Sequence, residues 1–310
     1  MSILAVGSVS RVNTASVLVV VVRLGTEPID ASITDAVDAL RRSTADVHGV
    51  VAQNSRGQGG SIGSVPDGWA LDAQPGNMGY AVAVNSAVRS HAPIDSSVVV
   101  LTADARPERF ALAELVDALG PSSVVGPALR VDGSWWLGGR WNDRWGWARH
   151  RVSSTSPGRS TAFEVDWVDG ACIAFSRPTF DAVGGFDEGT FLYGEDVQFC
   201  LAHRSAGGTV AVVPAAVVGQ ASGMFGRAGA HGYLVIRNEI RAGVAVGGLR
   251  GPLVVTGLVR SLLEVVRVLT GPERGHHLWQ VVGMVWGTVD GARARTGRPP
   301  APLARHAGIP

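Results

Sequence analysis

Val17–Val22 and Val98–Leu101 are unbroken apolar, mostly β-branched runs, and 47–52 is a third apolar stretch interrupted by His48 and Gly49. Runs of this length with no polar alternation predict parallel strands covered on both faces. Between them, Ile33, Val37 and Leu40 recur at helical spacing. Residues 80–90 and 110–119 read as two further helices, and Trp69–Leu71 as a short strand. Strand–helix alternation of this kind predicts an α/β fold built on a doubly wound, mostly parallel sheet. In such sheets ligands collect at the carboxyl ends of the strands. Asn54 and Asp104 each stand just past such an end.

The pattern changes twice. Residues 131–161 hold five of the nine tryptophans (Trp135, Trp136, Trp141, Trp145 and Trp147) among glycines and arginines. This reads as a long loop or irregular hairpin, whose indoles could stack on sugar rings or pin the segment to the sheet. Thr209–Val213 reads as a strand ending at Pro214, and two or three helices occupy 228–292. In one of them Arg260, Glu264 and Arg267 form a narrow polar stripe, while Val254, Val255, Leu258, Val259, Leu262, Leu263, Val265, Val266 and Leu269 cover the rest. Such a helix suits the plane of a membrane surface, and equally suits docking into a core or a second subunit as a homodimer. From Thr296 the Pro/Ala/Arg composition predicts a flexible tail. The expected units are therefore 15–225, 226–295 and 296–310.

Charge sharpens the membrane reading. The whole chain carries +1, which gives no reason to expect nucleic acid. From Arg237 onward, however, ten arginines stand against four acids, a bias that anionic lipid attracts. Every basic residue other than histidine is arginine, a forked donor suited to phosphate. Cys172 and Cys200 offer no zinc spacing and read as buried free thiols. No signal peptide and no transmembrane helix are expected; the free thiols fit a reducing cytoplasm, and the basic, largely apolar helix predicts a peripheral place on the inner face of the cell membrane.

The densest chemistry lies in Val183-Gly-Gly-Phe-Asp-Glu-Gly-Thr-Phe-Leu-Tyr-Gly-Glu-Asp196. Two glycines, an aromatic pair and the adjacent carboxylates Glu195 and Asp196 suggest an acidic loop beside a pocket. Acids at a helix start also serve the helix dipole. Neighbouring helical side chains do not share a face, so one acid could meet a substrate while the other anchors the loop. Arg237 and Arg241 lie one turn apart and together suit a diphosphate. Asp169 could hydrogen-bond a sugar or serve as a turn residue, and Trp167 stands beside it.

The 183–196 segment resembles the family-2 inverting glycosyltransferases, in particular the bacterial rhamnosyltransferase-like branch. Other elements follow in the order of that family: Gly76–Asn85, Val99–Asp104, Asp169–Pro178 and Tyr233–Asn238. The resemblance covers roughly 15–245 and implies a GT-A-like fold, a nucleotide-sugar donor (dTDP-L-rhamnose first, a galactofuranosyl donor second) and a glycan or lipid-linked acceptor of the cell envelope. It implies Asp196 as base with Glu195 as its support. It implies nucleotide-sugar contacts from Gln53, Asn54, Asn77, Gly79 and Asp104, and acceptor contacts from Asp169, Trp167, Arg237 and Arg241. Asp104 would hold a divalent cation, Mg2+ or Mn2+, weakly. Three departures temper this. Gln53 or Asn54 stands where the family has an aspartate, Thr102 where it often has an acid or amide, and Gln220 where it often has a histidine. They leave a second reading open, a non-catalytic relative that binds glycolipid or scaffolds other enzymes. A nucleotidyltransferase would need a basic glycine-rich loop at the first strand, and Val22–Gly25 is too thin for one.

Overall fold

The computed structural model describes residues 16–44, 46–54, 61–220, 228–248, 250–270, 274–307 and 309. The glycine run at 57–63, whose spacing does not match a phosphate-binding loop, falls partly outside these. The first half lays down β1 (Val17–Arg23), α1 (Ala31–Arg41), β2 (Val47–Gln53), β3 (Ala70–Ala73), α2 (Tyr80–His91), β4 (Ser97–Thr102), β5 (Arg106–Pro107) and α3 (Ala111–Asp117). Strands β6 (Ser123–Val131), β7 (Ser134–Asn142), β8 (Trp147–Ser153), β9 (Phe163–Glu164) and β10 (Cys172–Ser176) follow, then α4 (Arg177–Val183), α5 (Glu195–Ser205) and β11 (Thr209–Gln220). The chain ends in α6 (Ala228–Ala245), α7 (Arg250–Thr270), α8 (Arg274–Ala292) and α9 (Ala301–His306).

Among the described residues one sheet runs in the order β3-β2-β1-β4-β10-β6-β11-β5. Strands β1 to β4 are parallel, and β10 is antiparallel to both β4 and β6. The unbroken apolar run of β1 has a direct cause. Leu18 and Val20 face a core shared with α2, while Val17 and Val19 face one shared with α1 and α3. Both faces are dry, so neither can carry polar residues. Local signals set the helix ends. Asp30 accepts from Ser32 N at 3.0 Å ahead of α1. Ser176 accepts from Thr179 N at 3.2 Å ahead of α4, which stops at Gly184 with φ +81°.

Two expectations need correction and one is narrowed. The tryptophan-rich segment takes the irregular-hairpin form of the two expected, an antiparallel pair β7–β8 continuing from β6, with a register shift between Trp136 and Gly139. Gly139 is required there, because a Cβ would meet the Trp167 indole at 2.1 Å. Strand β11 does not stop at Pro214; its pairing with β6 slips between Val213 and Val217, so the proline occupies a bulge where its missing N–H costs no ladder bond. The segment after Thr296 is not a loose tail. It folds back as α9, with Leu303 buried against Phe191, Tyr233 and Leu234. Cys172 and Cys200 are buried free thiols as expected.

Candidate active site

Two cavities adjoin at the carboxyl ends of the central strands. The first, about 310 Å3, is lined by Val22, Glu27, Asn54, Asn77, Gly79, Thr102, Ala103 and Asp104. Its floor is an amide lattice. Asn54 Nδ2 donates to Asn77 Oδ1 at 3.2 Å, and Asn54 Oδ1 accepts from Met78 N at 3.2 Å. Asp104 follows β4, where the end of the parallel strand leaves its carboxylate at the rim.

Gln53 does not join this lattice. Its side-chain oxygen accepts from Arg23 Nε at 2.9 Å and Nη2 at 2.6 Å, and its amide nitrogen donates to the Gly25 carbonyl. Arg23 is fully buried and also holds the carbonyls of Gly63 and Ser64. The expected nucleotide contact from Gln53 is therefore corrected: its carboxamide neutralises the polarity of a buried guanidinium. Gly79 is needed for a different reason than ligand approach. It has φ +99°, and a Cβ there would meet the Phe191 carbonyl oxygen at 2.5 Å.

The second cavity, about 430 Å3, is lined by Trp136, His150, Trp167, Asp169, Gly170, Glu195, Asp196, Gln220, Asn238, Glu239 and Arg260. Asp196 Oδ2 accepts from Gly170 N at 2.8 Å and Oδ1 from Val197 N at 2.8 Å. Burial pushes its carboxyl well above the usual carboxylate range, and the charge of Asp169 adds to this. Glu195 is raised further, by burial and then by the charge of Asp196, and its Oε2 has no hydrogen-bond partner. Both acids of the pair thus border the same cavity. Opposite them, His150 Nε2 lies 3.0 Å from Asp169 Oδ1. The imidazole sits between Trp136 and Trp167, with ring centroids at 4.2 and 4.6 Å. Burial by itself would lower the His150 pKa, but the Asp169 hydrogen bond and charge, with Asp196 beyond, raise it.

A strained wall divides the cavities. Leu192, Tyr193, Tyr80, Thr102 and His231 border both. Phe191 and Tyr193 adopt φ of +67° and +64°, a region that bulky residues avoid. The wall is held from behind by α6. Asn238 Nδ2 donates to the carbonyls of Leu192 at 3.0 Å and Tyr193 at 2.6 Å, and Arg237 Nη2 to that of Thr190 at 2.7 Å. Arg237 also donates to the Gly297 carbonyl at 2.6 Å and is fully buried. Arg241 pairs with Asp187 at 2.6 Å. The two arginines expected to hold an acceptor diphosphate are instead clamps of the 187–193 loop, and burial keeps Arg237 from any phosphate.

A divalent cation is tested by the donor set. No group of three or more His, Cys, Asp or Glu side chains stands ready for a metal among the described residues. Yet Thr102 Oγ1 is buried without a partner on the wall next to Asp104. A hard cation asks for one or two carboxylates and completes its shell with substrate phosphates. Asp104 meets that requirement, so the residues fit a cation that arrives with a phosphorylated ligand.

A family profile described as glycosyltransferase-like family 2 matches residues 2–225. The chain belongs to that family. Among curated relatives, it is 33% identical over 98 residues to the N-acetylglucosaminyl-diphospho-decaprenol L-rhamnosyltransferase of Mycobacterium tuberculosis. That match covers 32% of this chain and 29% of the relative. Two solved structures share the fold. GalNAc-T7 with UDP, GalNAc and Mn2+ superposes with a TM-score of 0.55 at 16% identity, covering 74% of this chain and 48% of that one. The mannosyltransferase PcManGT from Pyrobaculum calidifontis with GDP-Man and Mn2+ gives 0.51 at 14%, covering 88% and 86%. The GT-A fold expected for this family-2 chain is thus present.

Residues that sequence reading missed are Trp136, His150, His231 and the Glu239–Arg260 pair. His150 sits in an Arg-His-Arg run on β8 and carried no spacing signal of its own. Trp136 was noticed only as one of a cluster. His231 enters from α6, whereas Gln220, expected to stand in for a histidine at the metal, borders the cavity of the carboxylates.

Proposed function

We propose that the protein is an inverting glycosyltransferase that moves a sugar from a nucleotide donor onto a lipid-linked acceptor of the cell envelope, acting at the inner face of the membrane. The observation that carries this is Asp196, a buried carboxylate fixed by two backbone N–H groups in a cavity that adjoins the nucleotide-type crevice across a wall one loop thick. Its two cavities suit one donor and one acceptor held in line. The curated relative transfers L-rhamnose to a diphospho-decaprenol lipid, and this supports a dTDP-L-rhamnose donor and a polyprenyl-diphosphate acceptor.

In this reading Asn54 and Asn77 bind the donor by amide hydrogen bonds, and Asp104 holds the divalent cation. When bound, such a cation would supply charge neutralisation of the leaving diphosphate. Asp196 takes the proton of the acceptor hydroxyl as its oxygen bonds to the sugar carbon and the nucleotide diphosphate leaves from the opposite face. The raised pKa of Asp196 favours that role, because a stronger base takes the proton more readily. His150 and Asp169 hydrogen-bond the acceptor sugar, while Trp136 and Trp167 offer it an aromatic surface. Glu195 keeps Asp196 and the loop in place.

The test is nucleotide release. The protein is incubated with dTDP-L-rhamnose and a short-chain polyprenyl-diphosphate N-acetylglucosamine in detergent, with and without Mn2+, and the product is examined by NMR. Release of dTDP with inverted anomeric configuration supports the reading. A folded protein that releases no nucleotide from this donor, a galactofuranosyl donor or other nucleotide sugars favours the non-catalytic relative.

A further inference from the structure

Helix α7 is built inside out. Its buried positions include Thr256, Ser261 and Glu264, whereas Val255, Leu258, Val259, Leu262, Leu263, Val266 and Leu269 are exposed. Leu262 and Leu269 expose 64% and 70% of their surface. Helix α8 continues the face, since Leu278, Val282, Val285 and Val289 are exposed while Thr288 and Asp290 are buried. A helix on a water-facing surface has the reverse arrangement. Scattered exposed leucines need no explanation, but a contiguous face of this kind on two packed helices does.

We infer that this outer face of the α7–α8 pair seats in the surface of an anionic lipid bilayer. Two further observations favour lipid over a second copy of the chain. First, the face is bordered by cations. Arg267, paired with the buried Glu264, is exposed near the end of α7, and Arg293 and Arg295, the latter paired with the buried Asp290, are exposed just beyond α8. Helices α7 and α8 are joined by three residues and pack on each other, so these arginines mark opposite ends of the face. Arginines at the margin of an apolar face match anionic headgroups around an acyl interior. A like copy would bring the same cations into register with themselves. Second, α6 and α8 pack by backbone approach through glycine. A Cβ on Gly283 would meet the Gly229 carbonyl oxygen at 1.9 Å, and one on Gly287 that of Tyr233 at 2.3 Å. Small residues four apart are how helices pack where the surrounding medium is apolar. No helix among the described residues is long and apolar enough to cross a membrane, so the pair lies in the surface. The face also meets the carboxylate cavity. Arg260 of α7 lines that cavity and pairs with Glu239, so a lipid-borne acceptor would reach Asp196 along α7. This last step rests on the function proposed above; the membrane surface does not.

The test is flotation of the full chain, without donor or acceptor, on vesicles of phosphatidylglycerol and phosphatidylcholine and on vesicles of phosphatidylcholine alone. Leu262→Glu/Leu269→Glu is floated beside it, with melting temperature and light-scattering mass recorded for both. The wild type is expected to float with the anionic vesicles, and the variant to lose on the order of tenfold in bound fraction with its melting temperature held. A milder Leu262→Ser/Leu269→Ser variant gives the same direction if the glutamates disturb folding. Wild type that stays at the bottom of the gradient overturns the inference. So does a variant that floats as well as the wild type, or a wild-type dimer that the variant splits while neither floats. Flotation without nucleotide release would sink the proposed transfer reaction and leave the membrane surface standing; release without flotation would keep the reaction and overturn the membrane surface, with the inner-face placement that goes with it.

Discussion

The two cavities share a wall and differ in how they treat charge. On the Asp104 side the polar groups are mainly amides that satisfy one another, and Asp104 is left at the rim. On the Asp196 side Glu195, Asp196, Asp169 and Glu239 converge in a buried space, answered by His150 and by Arg260 on Glu239. An amide surface binds by neutral hydrogen bonds that cost little to keep in place. A cluster of buried carboxylates destabilises the fold unless it is hydrogen-bonded, and is retained where a proton must move. In the proposed reading, the contrast puts recognition on one side and chemistry on the other.

The sharpest way to break that division is Asp196→Asn. It is expected to lower kcat by about 10²- to 10⁴-fold while leaving nucleotide binding intact, read by dTDP release beside a melting-temperature titration. Unchanged turnover would remove Asp196 as the base. Asp104→Asn should do the reverse on the other side. It is expected to abolish the Mn2+-dependent rise in melting temperature caused by dTDP, a rise that requires ligand binding to the folded state, and to leave the metal-free melting point unchanged. His150→Gln keeps a hydrogen-bonding group but removes the charge. We expect about a tenfold rise in acceptor KM with donor KM held, together with a displaced pH profile of kcat/KM. A change confined to melting temperature would make His150 structural.

The shared wall allows a fourth test. Asn238→Ala removes the donor to three carbonyls of the strained loop. It should cost about 1–3 kcal/mol by leaving buried acceptors unmet, measured by urea unfolding, and should weaken both donor and acceptor binding. The smallest effect concerns pH. The Glu195 carboxyl is raised on folding, so the folded state keeps a proton that the unfolded chain has lost. Its contribution to stability is full below the ordinary carboxylate range and is lost as pH rises through the raised value. Glu195→Gln should flatten that decline, and a slope identical to wild type would show that the group is ionised throughout.

Much of this half of the molecule was legible beforehand, and the reasons are local. Short, β-branched apolar runs bounded by turn residues fit strands dry on both faces, and the glycine, aromatic and acid order of 183–196 carries its own turn chemistry. Those signals placed Asp196 at a helix start and Asp104 past a strand end; their roles as base and cation ligand came from the resemblance to family-2 glycosyltransferases. Gln53 and Arg237 misled because each reads as a polar residue near a ligand. Each is instead answering another buried group far off in sequence, Arg23 for the first and the Thr190 and Gly297 carbonyls for the second.

The amino-acid sequence by itself determined the α/β class, the strand ends where ligands gather, and the acidic helix start, because each depends on periodicity or on residues within one turn of each other. Only the tertiary structure decided which partners those residues keep. His150 meets Asp169 because the β7–β8 hairpin folds back over the sheet, and no periodicity encodes that approach. The same holds for α7. A periodic stripe defines two faces of a helix, but it cannot say which one is turned inward. Here packing against α6 and α8 buries Thr256, Ser261 and Glu264 and leaves the leucines outside.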